Sequence, residues 1–179
     1  MSAQNLLPAN AKLVRLEEST TISPFESGDK DLNDFLLNDA KNYLKSLLAV
    51  TYLLKIDEET VAYFSLSNDN LTRSDDKKQT WNKINRSIPN EKRRRTYPAV
   101  KIGRLAVAKK YAGVGLGSRI ILAVREMYVN EPQRAGCRFI TVDAYRDALP
   151  FYQKNEFNFL TEQDINDDTR TMYFDLKTI

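Results

Sequence analysis

The chain has 179 residues, 42% of them apolar and 28% charged, and a net charge of +3, which is typical of a soluble globular domain. It has no histidine and one cysteine, which excludes Ser-His-Asp and Cys-His catalysis, histidine-ligated metal sites and an intrachain disulfide. No apolar run approaches the roughly 20 residues that cross a bilayer, and the N-terminus lacks a secretory signal, so we expect a cytoplasmic protein without membrane contact.

The first third of the chain predicts a strand and a helix. Residues 1–10 are polar and are predicted to be frayed. Residues 12–18 alternate as a strand does. Asp29 or Asp31 can then cap a helix with an apolar stripe, formed by Leu32, Phe35, Leu36, Ala40, Tyr43 and Leu44.

Residues 49–56 and 60–67 are rich in β-branched and aromatic residues and predict a β-hairpin. The polar run Asn68-Asp69-Asn70 is predicted to end the second strand. Asp69 at this strand end is a candidate general base, and a turn aspartate is the alternative interpretation.

Residues 71–96 form the most polar part of the chain. The pattern predicts a short helix over 78–88, a loop over 91–96 and a strand over 98–108. From Lys83 to Lys110 there are ten basic residues and one acid, so the block carries 10 − 1 = +9. Such a block attracts phosphates, and a solvated basic loop explains it equally well.

A glycine-rich segment, Gly113-Val114-Gly115-Leu116-Gly117-Ser118, follows this strand and precedes an amphipathic helix. Three of the six glycines of the chain lie within positions 113–117, which favours close backbone approach to a ligand. The first turn of a helix presents unpaired N–H groups and partial positive charge, so an anion is the expected ligand. A purely structural turn is the alternative. The helix face consists of Leu116, Ile120, Ile121, Val124, Met127 and Tyr128.

The last third predicts a loop over 132–136, a buried strand over 138–144 and a helix that Asp147 caps. This helix carries Pro150 in its first turn, followed by Phe151 and Tyr152. Two strands, 157–160 and 171–176, close the chain, with a solvated acidic loop over 162–168. There is no internal repeat or linker, so residues 1–179 are predicted to be a single domain.

This order of elements resembles the GCN5-related N-acetyltransferases, the GNAT superfamily. The resemblance is carried by Arg104-Leu105-Ala106-Val107, by the glycine segment, and by Ala148-Leu149-Pro150-Phe151-Tyr152 leading to Phe157. It covers roughly residues 12–176. It implies an α/β (α+β) fold with a mixed central sheet of about six to seven strands, flanked by helices and splayed between strands 4 and 5.

The resemblance also implies the site. The loop amides would bind the pyrophosphate of acetyl-coenzyme A, and the fourth strand would pair with its pantetheine. No metal ion is expected. Tyr152 matches the general acid of the family, and the alternative interpretation is a buried aromatic residue without a catalytic role. Asp69 and Asp143 are candidate bases. Ala112 stands where the family commonly has Gln or Arg. The implied cosubstrate-binding residues are Leu105, Ala106, Val107, Ala112, Gly113, Val114, Gly115, Leu116, Gly117 and Ser118.

Three functions follow from the resemblance. The first is an acetyl-coenzyme A-dependent N-acetyltransferase that acts on a primary amine of a small molecule or protein. The second is suggested by Phe25-Glu26-Ser27-Gly28, followed by Leu32-Asn33-Asp34-Phe35-Leu36 and Ala40. These residues are similar to those of the GNAT toxins of toxin–antitoxin pairs that acetylate aminoacyl-tRNA. The third is a non-catalytic regulator that binds coenzyme A or nucleic acid. The family also allows a homodimer, and tRNA contacts would fall to Lys92, Arg93, Arg94 and Arg95.

Overall fold

The computed structural model describes residues 3–73, 77–130 and 135–178. Seven strands form one mixed sheet in the order β1-β2-β3-β4-β5-β7-β6, which confirms the predicted fold class. The strands are β1 (Ala11–Arg15), β2 (Val50–Ile56), β3 (Glu59–Thr72), β4 (Thr96–Val107), β5 (Phe139–Tyr145), β6 (Asn158–Phe159) and β7 (Thr169–Asp175).

The α-helices of the described residues are 5 to 14 residues long. They are α1 (Lys30–Asp34), α2 (Ala40–Lys45), α3 (Lys78–Arg86), α4 (Leu116–Val129) and α5 (Leu149–Lys154). A π-helical turn, Phe35–Asp39, joins α1 to α2. None of the helices in the described ranges is long and apolar enough to cross a membrane.

Contacts divide the chain into two units, which we describe separately. The first unit comprises residues 1–67 and 102–134, and the second comprises residues 68–101 and 135–179. The strands β3 and β4 each contribute residues to both units.

In the first unit, β1, β2 and β3 pair antiparallel. Asp57, at a φ of 52°, turns the chain between β2 and β3, as the predicted hairpin requires. Asp29 caps α1 by accepting a hydrogen bond from the Leu32 N–H at 3.2 Å, which confirms one of the two predicted caps. Of the predicted helical stripe, Phe35, Leu36 and Ala40 lie in the core of this unit, whereas Tyr43 is 40% exposed. The other buried residues of this core are Leu16, Phe25, Leu53, Tyr63, Ala106 and Ala108.

The N-terminus differs from its prediction. Ala3–Leu6 form a 3₁₀ helix, and Ala3 and Leu7 are buried. The Gln4 side chain donates to the Ala11 carbonyl at 2.6 Å and accepts from the Leu13 N–H at 3.0 Å. These long-range bonds order a segment that its polar composition predicted to be frayed, and residues 1 and 2 lie outside the described residues.

In the second unit, β4 and β5 pair parallel, with Ala99 opposite Phe139 and Lys101 opposite Thr141. These register pairs end at Lys101, although β4 continues to Val107. The strand β7 pairs antiparallel with both β5 and β6. The core of this unit is largely aromatic and contains Leu71, Trp81, Ile84, Ile88, Tyr97, Ala99, Phe139, Leu160 and Tyr173.

Three local predictions were wrong. The strand β3 runs through Asn68-Asp69-Asn70, because pairing such as the 2.8 Å bond from the Arg73 N–H to the Arg95 carbonyl overrides local propensity. Ala148, not Asp147, precedes α5, without a side-chain cap. In the acidic loop, Asp164 is buried because the Arg170 Nε donates to it at 2.9 Å. Most of the predicted loop over 132–136 lies outside the described residues.

Candidate active site

The glycine segment forms an open backbone site at the start of α4. Gly113 and Gly115 have left-handed φ values of 79° and 80°, which favour glycine. Gly115 precedes the helix and provides no side-chain cap. The N–H groups of Leu116, Gly117 and Ser118 have no intrahelical acceptor by helix geometry, so the first turn of this 14-residue helix can bind an anion.

Two acidic residues of the first unit anchor the entry to this segment. Glu59 accepts hydrogen bonds from the Lys110 Nζ at 3.1 Å and from the Tyr111 hydroxyl at 3.0 Å. These bonds, the one from Lys110 first, hold the pKa of Glu59 below its ordinary value. The Lys109 N–H donates to the Glu26 carbonyl at 2.8 Å. The turn that leads into the glycines is therefore held by both backbone and side-chain bonds.

The predicted pantetheine strand is the last part of β4. Ala106 is buried in the first-unit core, whereas Leu105 and Val107 are half-buried. The Ala108 N–H donates to the Val61 carbonyl at 2.8 Å, which fixes the end of the strand against β3. Ala112, the position that departs from the family pattern, is exposed between this strand and the glycines.

Tyr152 lies in α5 of the second unit, where it is 7% exposed. Its ring makes edge contacts with Phe151 and Phe157, with centroids 5.0 and 5.3 Å away. This apolar burial raises the pKa of Tyr152, because the phenolate is desolvated. Within the part of the chain that the structure describes, its hydroxyl makes no hydrogen bond. The group is therefore a neutral phenol with its proton available.

The two candidate bases lie in the second unit and are both engaged. Asp69 accepts a hydrogen bond from the Thr141 hydroxyl at 2.5 Å. Asp143 pairs with the Lys101 Nζ at 2.5 Å and accepts from the Thr171 hydroxyl at 3.0 Å. Each of the two acids therefore has a partner within the second unit, Thr141 for Asp69 and Lys101 with Thr171 for Asp143.

Several basic side chains of the block between Lys83 and Lys110 have partners within the protein. Lys101 and Lys110 pair with acids outside the block, as described above. Arg93 donates to the Ile88 carbonyl at 3.2 Å and to the Asn85 carbonyl at 3.0 Å, which closes the C-terminal end of α3. The side chains of Lys92, Arg94 and Arg95 are exposed and have no partner among the described residues.

Among the described residues, the cysteine and the acidic side chains are the groups from which a thiolate or metal site could form. Burial raises the pKa of the Cys137 thiol to about 11, so little of the reactive thiolate is present at neutral pH. Across residues 3–73, 77–130 and 135–178, no three acidic or cysteine side chains are grouped so that they could hold a metal ion.

The strand order and the glycine loop that follows β4 agree with the fold expected of the N-acetyltransferases. Residues 87–174 match the family model described as an acetyltransferase (GNAT) domain. Over these residues the chain is a GNAT-type acetyltransferase domain, with acetyl-coenzyme A as its cosubstrate. These findings confirm the predicted family, enzyme class and cosubstrate.

The chain is similar to several toxins. A tRNA-acetylating toxin of Mycobacterium tuberculosis is 26% identical over 145 residues, which are 80% of this chain and 81% of the toxin. A crystal structure of a bacterial toxin superposes with a TM-score of 0.77 at 14% identity, covering 94% of this chain and 92% of that one.

The toxin AtaT has the same fold. Its complex with acetyl-methionyl-tRNAfMet matches with a TM-score of 0.73 and 19% identity, over 94% of this chain and 96% of AtaT. A mutant of AtaT bound to acetyl-coenzyme A and the C-terminus of the antitoxin AtaR also has a TM-score of 0.73, at 17% identity over 94% of this chain and 95% of AtaT. At these identities, the structures establish the fold.

The structure adds residues that the sequence reasoning missed. Glu59 reaches the glycine-loop entry from more than fifty positions away along the chain, and no local pattern identifies such a partner. The sequence motif includes Arg104 but does not reveal that its buried Nε has no hydrogen-bond partner among the described residues.

Proposed function

We propose that this acetyltransferase is the toxin of a toxin–antitoxin pair and that its acceptor is the α-amino group of an aminoacyl-tRNA. The observation that carries the proposal is its similarity, across four-fifths of the chain, to a tRNA-acetylating toxin. The AtaT complexes with an acetylated aminoacyl-tRNA and with an antitoxin support it. The proposal takes residues 1–179 as one catalytic domain that acts in the cytoplasm, where charged tRNA is used.

The first unit supplies cosubstrate binding in this proposal. The first-turn N–H groups of α4, with Gly113 and Gly115 leaving their approach clear, bind the pyrophosphate of acetyl-coenzyme A. Ser118 adds a hydroxyl. Peptide groups of Leu105 and Val107 hold the pantetheine and the thioester carbonyl. Binding both reactants in order supplies much of the rate acceleration.

Tyr152 acts as the general acid. The acceptor amine attacks the thioester carbonyl, a C–N bond forms, and the C–S bond then breaks. The Tyr152 hydroxyl gives its proton to the departing thiolate, the amine loses one to solvent, and Tyr152 regains a proton from solvent. Because Tyr152 is buried among aromatic rings, its proton is retained until the thiolate forms.

The proposal requires no carboxylate base. Asp69 and Asp143 already accept hydrogen bonds from Thr141 and Thr171, and Asp143 also faces Lys101. The α-amino group has a pKa of about 7.7–8.0, so a substantial fraction is neutral near neutral pH. We therefore assign both acids to the structure of the second unit.

The exposed side chains of Lys92, Arg94 and Arg95 contact tRNA phosphates. They carry positive charge without an internal partner among the described residues, which is the arrangement that phosphate binding requires. Arg93, whose guanidinium closes α3, is assigned a structural role instead.

Induced expression in bacteria tests the proposal. We expect wild-type protein and Tyr145→Phe to arrest growth and Tyr152→Phe to permit it. Tyr145 is the matched control, since it is 60% exposed at the end of β5. Uninhibited growth with accumulated wild-type protein that acetylates small amines would instead favour the general N-acetyltransferase, the alternative acceptor class. Arrest by Tyr152→Phe would remove Tyr152 as the acid.

A further inference from the structure

Arg104 carries a bidentate hydrogen-bonding edge that is not used. Its Nη1 donates to the Gly103 carbonyl at 2.9 Å. Its Nε is buried and has no hydrogen-bond partner among the described residues. Its Nη2 lies 3.7 Å from the Asp31 Oδ2, beyond hydrogen-bond length. The Nε–Nη2 edge, which arginine uses to grip a carboxylate or phosphate, therefore lacks an acceptor.

The guanidinium is nevertheless held in place. Its Cζ lies 5.2 Å from the centroid of the Phe35 ring, a cation–π distance. Phe35 starts the π-helical turn and stacks on Tyr63 at 6.1 Å. The Tyr63 hydroxyl is fixed in turn by donating to the Leu32 carbonyl at 2.7 Å. This aromatic support orients the edge before any ligand arrives, which lowers the entropic cost of binding.

The position of Arg104 indicates what the edge binds. It directly precedes Leu105, and consecutive Cα atoms are about 3.8 Å apart, so its ligand lies near the proposed thioester strand. Under the proposed function, the glycine loop takes the pyrophosphate of the cosubstrate. An oxyanion near the thioester strand then belongs to the acceptor, and in an aminoacyl-tRNA the nearest one is the phosphate of the terminal nucleotide.

We propose that Arg104 binds this terminal phosphate and that Asp31 competes for the same edge until the acceptor displaces it. The Asp31 side chain is 67% exposed and faces Nη2 without a hydrogen bond, so moving it costs little. Arg104 thereby selects acceptors whose phosphate stands at the correct distance from the amine. This inference rests on the proposed function.

Opposite effects of two substitutions test the proposal. We expect Arg104→Gln to raise the KM for aminoacyl-tRNA about tenfold, the loss expected when charge-assisted hydrogen bonds are removed. The KM for acetyl-coenzyme A should not change. Asp31→Asn should lower the acceptor KM, because the competing carboxylate charge is gone. Asp34→Asn is the control, since Asp34 pairs with Lys30 at 3.0 Å on the same helix.

If Arg104 and Asp31 form only a structural ion pair, the two substitutions should have the same effect. Arg104→Gln and Asp31→Asn would then both lower the melting temperature and impair activity together, which would overturn the proposal. Circular dichroism melts establish that the variants fold, and Arg104→Lys, which keeps the charge but lacks the bidentate edge, is the second variant. It should also raise the acceptor KM.

A matched pair of acceptors separates this inference from the proposed function. Wild-type protein is assayed with 3′-aminoacyl-adenosine that carries or lacks a 5′-phosphate. Preference for the phosphorylated form that Arg104→Gln abolishes supports the role of Arg104. Equal use of both forms by wild-type protein overturns it while leaving the acetyltransferase intact. Failure to acetylate aminoacyl-tRNA or either nucleoside overturns the proposed function itself.

Discussion

Tyr152, the proposed general acid, lies in an apolar environment that favours its protonated form. Its ring is enclosed by Phe151 and Phe157, and this burial raises its pKa. Above its ordinary pKa of about 10, a free tyrosine would lose its proton. The raised pKa extends the protonated form of Tyr152 to pH values at which a free tyrosine ionises.

This leads to a pH prediction. We expect kcat/KM to rise with pH as the acceptor amine, with a pKa of about 7.7–8.0, loses its proton. The profile should then stay level to at least about pH 9, because the pKa of Tyr152 is shifted upward from about 10. Initial rates at constant ionic strength measure it, and a descending limb centred below about pH 9 would contradict the assignment.

Leu47 has a strained backbone conformation that burial of its side chain does not offset. It is 92% exposed and has a φ of 57° where α2 ends. The Leu48 N–H donates to the Tyr43 carbonyl at 2.9 Å and completes this helix-ending turn. Glycine or asparagine usually occupies such a left-handed position, so leucine is strained there without gaining burial.

We predict that Leu47→Gly stabilises the protein by about 0.5–1 kcal/mol, as relief of left-handed strain outweighs the added freedom of the unfolded chain. Urea unfolding measures the change. Ser46→Gly is the matched control at a φ of −81°, and it should destabilise the protein, since glycine gains nothing there. A lower midpoint for Leu47→Gly would show that the leucine side chain makes a stabilising contact.

At the scale of elements, the glycine loop depends on its entry turn. Glu59 holds Tyr111 and Lys110, and the glycines follow within two residues. Loss of these bonds would let the first turn of α4 and its approach move apart. Cosubstrate affinity should therefore be sensitive to a residue that does not contact the cosubstrate.

Glu59→Gln should weaken acetyl-coenzyme A binding several-fold, because hydrogen bonds to a charged group are replaced by weaker neutral ones. Titration calorimetry measures the dissociation constant. Glu58→Gln is the control, since that carboxylate is 99% exposed and 3.9 Å from Lys55. Equal affinities for both variants and the wild type would show that the loop holds its shape without Glu59.

Elements with a clear local pattern were predictable from the sequence. The apolar period of α4, the hairpin of β2 and β3 and the helix carrying Tyr152 were all found. The length of β3 was not predictable, because it depends on pairing with the segment that contains Arg95. The burial of Asp164 was not predictable either, because it depends on a hydrogen bond from Arg170 in β7. The π-helical turn at Phe35 has no recognisable sequence signal.

The site was predicted in the same uneven way. The glycine loop could be predicted because glycine favours positive φ, and Gly113 and Gly115 do have positive φ. The roles of Glu59 and Arg104 are set by contacts with Tyr111, Asp31 and Phe35 across the fold. Long-range contacts of this kind leave no spacing that a sequence pattern can reveal.

For the whole molecule, the net charge of +3 hides an uneven distribution. Acids neutralise Lys101 and Lys110, whereas Lys92, Arg94 and Arg95 stay unpaired among the described residues. A small exposed cation cluster can bind a polyanion even when the overall charge is low. Affinity for tRNA should therefore fall with added salt.

We predict that Arg94→Gln and Arg95→Gln each reduce the slope of log affinity against log salt by about one phosphate contact, roughly 0.7–0.9. Their thermal stability should not change. Arg93→Gln should instead destabilise the protein by about 1 kcal/mol, because two carbonyls at the end of α3 lose their donor. Filter binding over a salt series and thermal melts measure both effects, and an Arg93 variant that changes only the slope would reverse the assignment.

The central claim is that Tyr152-dependent acetyl transfer is directed to the amino group of aminoacyl-tRNA. The most direct measurement incubates the protein with radiolabelled acetyl-coenzyme A and the same tRNA in charged and uncharged form. We predict label on charged tRNA alone, and a rate at least about 100-fold lower for Tyr152→Phe, as expected on loss of a general acid. Label on uncharged tRNA, on neither form, or equally fast with Tyr152→Phe would contradict this claim.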